Sequence, residues 1–416
     1  VASGTLPNGQ AVVLKADGTV EAVAETSVSQ NIPAGSGVVF NTEHTTYTSV
    51  AYDPNTANKF VVAYEDSGNG TAAVGTVTGT SISFGSAADF NAGATAYIKV
   101  YFDPNTANRL VVTYSDVANS RRGTAIVGTV SGTSISFGSE VVFNSAATDY
   151  IDMSFDPNTA DKIAVVWQEV SDTTGKNKIG TLSGTSITFG GINSFNNGAT
   201  SYITIVSDLN TAGKYIISYV DNGNSNYGQV RVGTMAASGT DLNFGSETVY
   251  NSGTTGHPLI SSDPNSSKFV VVYYDGGNSN YGTAIVGTVS GSSISFGSEV
   301  IIKSNLLAHF GLAFDPNTAN TFVVAYADFG DSSIGKARVG VINGTSIIFG
   351  TEVTLSSGEI NATSVSFDSN TAGKFVLTFR APENSSYGTA ILGQIATSTT
   401  NLTSTNFVGI TAEAIA

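Results

Sequence analysis

The sequence of 416 residues contains no cysteine, a single tryptophan and few charged side chains, which make up 12% of the chain. The absence of cysteine excludes disulfides, thiolate metal sites and thiol catalysis. It does not exclude an extracellular protein, because a chain of this length can bury a large core without cross-links. The net charge of −15 argues against a nucleic-acid partner, which requires a clustered basic surface.

Long hydrophobic runs are also missing. The longest, such as Phe269 to Tyr274, fall far short of the roughly 20 residues that span a bilayer, so we expect no membrane insertion. No signal-peptide pattern is visible, and because the chain begins at Val1 we expect that a preceding segment has been processed or trimmed. What is abundant instead is glycine, with 46 residues, together with Ser, Thr and Asn. This composition predicts many short strands joined by tight turns.

A turn of the type Asp-Pro-Asn-Thr-Ala recurs along the chain at intervals of 50 to 55 residues. Internal repeats of this length are typical of solenoids and propellers. The repeats start at Asp53, Asp103, Asp156, Asp208, Asp263, Asp315 and Asp368.

Each repeat contains four segments with strand patterns. In the second repeat they are Tyr97 to Phe102, the apolar run Arg109 to Tyr114, Gly123 to Val130, and the alternating segment Ser134 to Phe137. Apolar runs indicate strands buried on both faces, and alternation indicates a half-exposed strand. Four antiparallel strands per repeat, without helical patterns, predict an all-β fold: a seven-bladed β-propeller.

The two ends of the repeat region complement each other. The outer-strand phrase Phe-Gly-Ser, or a variant of it, follows each of the first six repeats but not the seventh. Near the N-terminus, Gly35 to Asn41 matches Gly138 to Asn144. We therefore predict that Gly37 to Asn41 pairs with the strand at Gly388 to Gln394 and supplies the outer strand of the last blade. A ring closed in this way has no exposed sheet edge.

Two terminal segments lie outside the repeats. Residues 10–20 predict a hairpin with an Asp17-Gly18 turn, and residues 406–415 predict a final strand. Closure would bring the two ends together, so we expect them to pair as a small β stalk. The predicted domains are an N-terminal stalk segment at 1–34, the propeller at 35–397 and a C-terminal stalk strand at 398–416.

The candidate binding face carries the loops that differ between repeats, because variable loops on a rigid scaffold are where binding usually resides. Six residues before each repeat aspartate, at the predicted channel mouth, stand Tyr47, Tyr97, Tyr150, Tyr202, His257, His309 and Ala362. The four tyrosines and two histidines are interpreted either as an aromatic platform for a sugar or peptide, or as large rings that cap the core. Tyr227 and Tyr281, in loops rich in Asn and Ser, complete the predicted ligand-binding set.

Charged side chains on this face allow further interpretations. The second-to-third loops begin with an acidic residue in six repeats, which suggests either cation binding or hydrogen bonds to loop amides. Those residues are Asp66, Asp116, Glu169, Asp221, Asp275 and Asp328, with Ala381 in the seventh repeat. Lys99 and Asp152 occupy equivalent positions in neighbouring repeats, so we predict an ion pair near the channel.

Catalytic signals are weak. Sialidase-like aspartate boxes and a trio of substrate-binding arginines are absent from the sequence. A glycosidase needs two carboxylates at a defined separation, and the best local cluster is Asp149, Asp152 and Glu169. His257 and His309 lack an evident third metal ligand. We therefore expect no enzymatic activity, no cofactor and no metal.

The terminal segments at 6–20 and 406–415, and the blade phrase Val127 to Ser139, resemble repeat modules of marine bacteriophage tail-fibre and appendage proteins. The resemblance implies a virion-attached, extracellular adhesion module that can form a homo-oligomer, contacts other virion subunits and recognises a host-surface glycan or protein. It implies no catalytic residues. The alternatives are a structural surface-display or filament subunit without a specific ligand and, third, a propeller glycosidase.

Overall fold

The computed structural model describes residues 11–15, 17–22, 37–395 and 407–410. Regular structure in these ranges consists of β-strands and of three short 3-10 turns at Val117–Asn119, Phe329–Asp331 and Pro382–Asn384. The all-β prediction is therefore confirmed. No helix among the described residues is long and apolar enough to cross a membrane.

Most strands pair in successive units that follow the sequence repeats. Before them lie β1 (Ala11–Leu14), β2 (Val20–Ala22) and β3 (Val38–Asn41), and after them lies β34 (Phe407–Ile410). Units one to three contain β4 (Thr45–Tyr52), β5 (Lys59–Asp66), β6 (Asn69–Thr78), β7 (Ser81–Phe84), β8 (Ala88–Asn91); β9 (Thr95–Phe102), β10 (Arg109–Asp116), β11 (Arg122–Ser131), β12 (Ser134–Phe137), β13 (Val141–Phe155); β14 (Lys162–Glu169), β15 (Thr174–Ser183), β16 (Ser186–Phe189) and β17 (Asn193–Ser207). Units four to seven contain β18 (Lys214–Asp221), β19 (Tyr227–Met235), β20 (Leu242–Phe244), β21 (Thr248–Asn251); β22 (Thr255–Ser262), β23 (Lys268–Asp275), β24 (Tyr281–Ser290), β25 (Ser293–Phe296), β26 (Val300–Phe314); β27 (Thr321–Asp328), β28 (Ile334–Asn343), β29 (Ser346–Phe349), β30 (Val353–Glu359); and β31 (Asn361–Phe367), β32 (Lys374–Ala381) and β33 (Tyr387–Gln394).

Within a unit the strands are antiparallel and lie side by side in chain order. In unit two, β9 pairs with β10 and β10 pairs with β11. The outer strand is made of two pieces: β12 pairs with one half of β11, and the first residues of β13 pair with the other half. The sequence predicted a single outer strand. It is interrupted between Phe137 and Val141, and at Gly138 the backbone of the next unit, at Thr185, lies so close that a side chain would collide with it.

The core lies between neighbouring units. All eight residues of β10 are buried, as expected for a strand covered on both faces. Its side chains alternate between two neighbours: Leu110 and Val112 pack with unit one, whereas Val111 packs with unit three. Each unit therefore buries its apolar surface against the units before and after it, and the units are interdependent.

The repeated Asp-Pro-Asn turns bind one unit to the next. The Asp315 carboxylate accepts a hydrogen bond from the N–H of Asn317 (2.9 Å) within its own turn and another from the N–H of Gly373 (2.9 Å) in unit seven. In the first six turns the side-chain amide of an Asn donates to a carbonyl of the following turn, as Asn158 does to Leu209 (3.0 Å). In unit seven Ser369 takes this role and donates to the carbonyl of Pro54 in unit one (3.3 Å).

The first and last units are in contact. β3 pairs with β33, with Val38 opposite Ala390 and Asn41 opposite Gly388, which is the pairing predicted for Gly37 to Asn41. The innermost strands also meet, because the N–H of Val50 donates to the Ser364 hydroxyl (3.1 Å). The N-terminal strand thus stands in the outer position of unit seven.

A small three-stranded sheet joins the two ends of the chain. β1 pairs with β2 through the predicted hairpin, in which the N–H of Gly18 donates to the carbonyl of Lys15 (3.0 Å), and β1 also pairs with β34. The predicted pairing of the two ends is therefore present. The predicted domain boundaries at 34/35 and 397/398 fall outside the described residues.

Candidate functional site

The ring positions of the sequence analysis coincide with a backbone irregularity. Each innermost strand shifts register at this point, as between Ala96 and Lys99 in unit two. The ring residue there has a φ between 48° and 52° in every unit, Ala362 included. A bulge of this kind re-aims a side chain out of the regular alternation. A non-glycine residue in this left-handed region is strained. The conformation that presents these side chains at the mouth therefore has a conformational free-energy cost in every unit.

The aromatic side chains form a continuous arc. Centroid distances between neighbouring rings are 5.5 Å for Tyr47–Tyr97, 5.3 Å for Tyr97–Tyr150, 5.0 Å for Tyr150–Tyr202, 4.5 Å for Tyr202–His257 and 6.3 Å for His257–His309. These are the spacings of interacting aromatic pairs. The rings are half-buried, and Tyr47 is 41% exposed. The arc is open on one side, at Ala362.

The arc surrounds a pocket of about 280 Å³. Its floor includes Thr204, Thr363 and Lys99. The hydroxyl oxygens of Thr204 and Thr363 are buried, and neither has a hydrogen-bond partner among the described residues. Buried polar atoms in native proteins nearly always have a partner, so we expect an ordered water or a ligand group to complete these hydroxyls.

The arc is uncharged at neutral pH. Burial raises the pKa of all four ring tyrosines above its ordinary value. Burial also lowers the pKa of His257. The pKa of His309 falls to about 4, first through burial and then through the positive charges of His257 and Arg380. The pocket therefore offers neutral aromatic faces with hydroxyl and imidazole hydrogen-bonding groups.

Lys99 and Asp152 form the predicted ion pair, with the ammonium nitrogen 3.9 Å from a carboxylate oxygen. Asp152 is buried and also accepts hydrogen bonds from the N–H groups of Met153 (2.9 Å) and Ile205 (3.0 Å). Burial raises the pKa of Asp152, and the Lys99 ammonium partly offsets the rise. The carboxylate is thus satisfied mainly by backbone groups, and Lys99 is held by one long contact.

The low pKa of His309 predicts a loss of stability in mild acid. Between pH 6.5 and 4 the His309 imidazole binds a proton in the unfolded chain but not in the folded chain. The free energy of unfolding therefore decreases as the pH falls through this window. The loss across the whole window is about 3–4 kcal/mol, since one pKa unit corresponds to about 1.4 kcal/mol. We expect His309→Gln to melt with a weaker pH dependence between pH 7 and 4.5 than the parent. His44→Gln, at an exposed position, is the control, and equal pH dependence in the two variants would contradict the prediction.

The acidic residues at the start of the second-to-third loops are occupied with structural hydrogen bonds. Asp275 accepts from the N–H of Gly277 (2.9 Å) and from the side-chain amide of Asn251 (3.1 Å). Glu169 accepts from the amide of Asn144 (2.9 Å). Within the described ranges no three His, Asp or Glu residues are grouped so as to hold a metal ion. The geometry supports the interpretation that these carboxylates organise their own loops.

The structure brings only part of the predicted ligand-binding set together. The six ring residues share one pocket, whereas Tyr227 and Tyr281 lie at the starts of β19 and β24 and do not contribute to its lining. Two aromatic residues outside the predicted set also contact the arc: Tyr274, whose ring lies 5.8 Å from that of His257, and Phe329, which stacks on His309 at 6.3 Å. Tyr274 belongs to β23, the second strand of unit five, and Phe329 lies in the 3-10 turn after β27, the second strand of unit six. No pattern shared by the repeats distinguishes these two residues from their neighbours.

The fold and the pocket define a propeller-like all-β protein with an aromatic mouth. Among solved structures, the lectin BP39L from Burkholderia pseudomallei is similar with a TM-score of 0.60 at 10% identity, covering 87% of this chain and 99% of that chain. Sqt1 from Chaetomium thermophilum has a TM-score of 0.53 at 12% identity, covering 86% and 83%. A functionally unknown protein from Desulfotomaculum acetoxidans has a TM-score of 0.53 at 11% identity, covering 75% and 87%. At such identities the likeness concerns the fold alone. The sequence matches no protein-family model and no curated protein.

Proposed function

We propose that this chain is a closed seven-bladed β-propeller that acts as a non-catalytic adhesion module and binds a glycan at its aromatic mouth. The observation that carries the proposal is the arc of four tyrosines and two histidines around a pocket whose Thr204 and Thr363 hydroxyls have no partner among the described residues. Aromatic faces stack on the apolar faces of sugar rings, and threonine hydroxyls can donate to or accept from sugar hydroxyls.

Ring closure is supported by contacts between the first and last units. β3 completes the unit that ends the repeats, and hydrogen bonds join the innermost strands β4 and β31. The turn-to-turn hydrogen bonds also continue from Ser369 to Pro54. A closed ring gives the mouth a rigid frame, and a rigid frame reduces the ordering cost of binding.

A binding role is supported over catalysis by the state of the best carboxylate cluster. Asp149 pairs with Arg121, Asp152 with Lys99, and Glu169 with Asn144. A glycosidase requires one carboxyl group to act as an acid and another to act as a nucleophile or base. In this cluster each carboxylate is bound to a structural partner, which leaves no such pair free.

The biological setting we propose is attachment to a virion or another extracellular surface, with a host-surface glycan as the ligand. It rests on the likeness of the blade phrase and terminal segments to phage tail-fibre modules. A lectin is among the solved structures that share the fold, which is consistent with sugar binding on such a frame. Assembly with other virion subunits or with further copies of the chain belongs to the same proposal.

Alanine substitutions in the arc test the site. We expect Tyr150→Ala and Tyr202→Ala each to weaken glycan binding about tenfold, because an aromatic contact contributes roughly 0.5–1.5 kcal/mol beyond the area that it buries. A glycan array identifies the ligand, and titration calorimetry measures the affinity. Tyr387→Ala is the matched control, since Tyr387 is also half-buried but does not line the pocket.

The outcomes separate a binding site from a packing role. A melting temperature equal to that of the parent, together with weakened glycan binding, supports the proposal. Lower melting temperatures with unchanged binding would mean that the arc only caps the core. A chain that binds nothing on glycan and peptide arrays would favour the surface-display alternative.

A further inference from the structure

Unit seven differs from the other units at the mouth in two ways. It has Ala362 where the other six units have an aromatic ring, and Ala381 where the other six have an acidic residue. The gap in the arc and the missing carboxylate therefore coincide. This sector is the open side of the pocket. The Glu359 carboxylate lies beside it, where it accepts a hydrogen bond from the side-chain amide of Asn361 (2.9 Å) and acts on the pKa of His309.

Arg380 lies in this sector. It stands opposite Asn361, the residue before the ring position, as Tyr274 stands opposite Gly256 in unit five. The ring of Tyr274 reaches the arc, where it contacts His257. The charge of Arg380 contributes to the low pKa of His309, so the guanidinium lies within electrostatic range of the arc.

The side chain of Arg380 has no partner in the described part of the chain. Its guanidinium forms no ion pair or hydrogen bond there, and its Nε atom is buried without an acceptor. By contrast, Arg109 binds Asp103 and Arg121 binds Asp149. A buried guanidinium N–H without an acceptor is costly, and a planar guanidinium matches the geometry of a carboxylate.

The pocket floor contains further unsatisfied donors. Thr204 and Thr363 are only 7% and 9% exposed, and their hydroxyl oxygens have no partner in the ranges described. The Lys99 ammonium also lines the floor and keeps only its 3.9 Å contact with Asp152. The pocket thus combines neutral aromatic walls with hydroxyls and the Lys99 ammonium, and Arg380 is a second incompletely paired cation, which lies near the arc without lining the pocket.

We propose that the mouth binds a single acidic sugar residue, such as a uronic acid at the end of a glycan, with its carboxylate held by Arg380. The sugar ring lies against the tyrosines, and its hydroxyls face Thr204 and Thr363. This inference rests on the proposed function and adds the chemical class of the ligand.

The charges of the molecule limit the classes of ligand that the mouth can bind. An aromatic cage can also hold a quaternary ammonium group, but Lys99 and Arg380 would repel one. The net charge of −15 disfavours a polyanionic chain, whereas one carboxylate is exposed to little repulsion because salt screens charges over about 8 Å. A pocket of about 280 Å³ is at the lower end of ligand sites, which fits one sugar residue.

Matched sugars test the inference. Titration calorimetry would compare the methyl glycosides of galactose and galacturonic acid, and of glucose and glucuronic acid. We expect the acidic member of at least one pair to bind about tenfold more tightly, the factor expected for one charge-assisted hydrogen bond. Arg380→Met should abolish this preference. Lys374→Met should keep it, because Lys374 lies at the opposite end of the same strand and donates to Asn58 (2.9 Å).

Each unfavourable result would overturn a different part of the proposal. A preference that survives in Arg380→Met, with melting like the parent, would overturn the role of Arg380. Equal binding of neutral and acidic sugars that is still sensitive to Tyr150→Ala would overturn the acidic ligand and leave the proposed function standing. Binding of a peptide with a free C-terminal carboxylate, but of no sugar, would overturn the glycan in both proposals.

Discussion

Deletion of residues 1–41 should lower the melting temperature on the order of 10 °C. The deletion removes β3 from its place beside β33 and takes away Phe40, whose ring lies 5.0 Å from Tyr64 and 5.7 Å from Phe84. Loss of a packed phenylalanine side chain costs about 3–5 kcal/mol, and loss of the strand pairing adds to it. In a domain of this size each kcal/mol corresponds to roughly 1–2 °C.

The matched control is deletion of residues 1–36, which keeps β3. We expect this shorter deletion to melt close to the full chain, so the difference between the two truncations isolates the contribution of the strand. Scanning calorimetry measures both. Equal melting temperatures for the two truncations would show that β3 does not hold the first and last units together.

The second large effect concerns the glycine of the Phe-Gly-Ser phrase and its variants. A Cβ atom at Gly190 would overlap the backbone oxygen of Thr240 in the next unit, and the same collision with a neighbouring backbone recurs at Gly85, Gly138, Gly245 and Gly297. Backbone cannot move aside as the end of a side chain can. We expect Gly190→Ala to lower the free energy of unfolding by about 1–3 kcal/mol, as overpacking does.

The adjacent residue provides the control. A Cβ atom at Gly191 would meet only an Asp241 carboxylate oxygen, at 3.7 Å, and Gly191 is exposed. Gly191→Ala should be neutral or stabilise by up to about 1 kcal/mol, because alanine restricts the unfolded chain. Urea unfolding compares the two variants. If Gly190→Ala unfolds at the same urea concentration as Gly191→Ala, the units are less tightly packed at their outer edges than the structure indicates.

Much of the candidate site could be predicted by comparing repeats within the one chain. Counting back from each repeat aspartate identified the six aromatic residues and the Lys99–Asp152 pair, because equivalent positions in a repeat occupy equivalent places around an axis. The same comparison could not separate Tyr227 and Tyr281 from the arc. Their exclusion from the pocket depends on distances across the mouth, which the spacing of residues in the chain does not encode.

The amino-acid sequence by itself determined the strand order, the repeat length and the residue type at each ring position, since alternation and turn residues are local properties. It also determined that β3 belongs beside β33, because the missing outer strand and its match are both visible in the chain. Only the tertiary structure decided where the ring side chains point, since the bulge that re-aims them appears as a register shift between strands. It alone also decided that the Thr204 and Thr363 hydroxyls and the Arg380 Nε atom lack partners among the described residues, because whether a polar group is satisfied depends on atoms brought near it from distant parts of the chain.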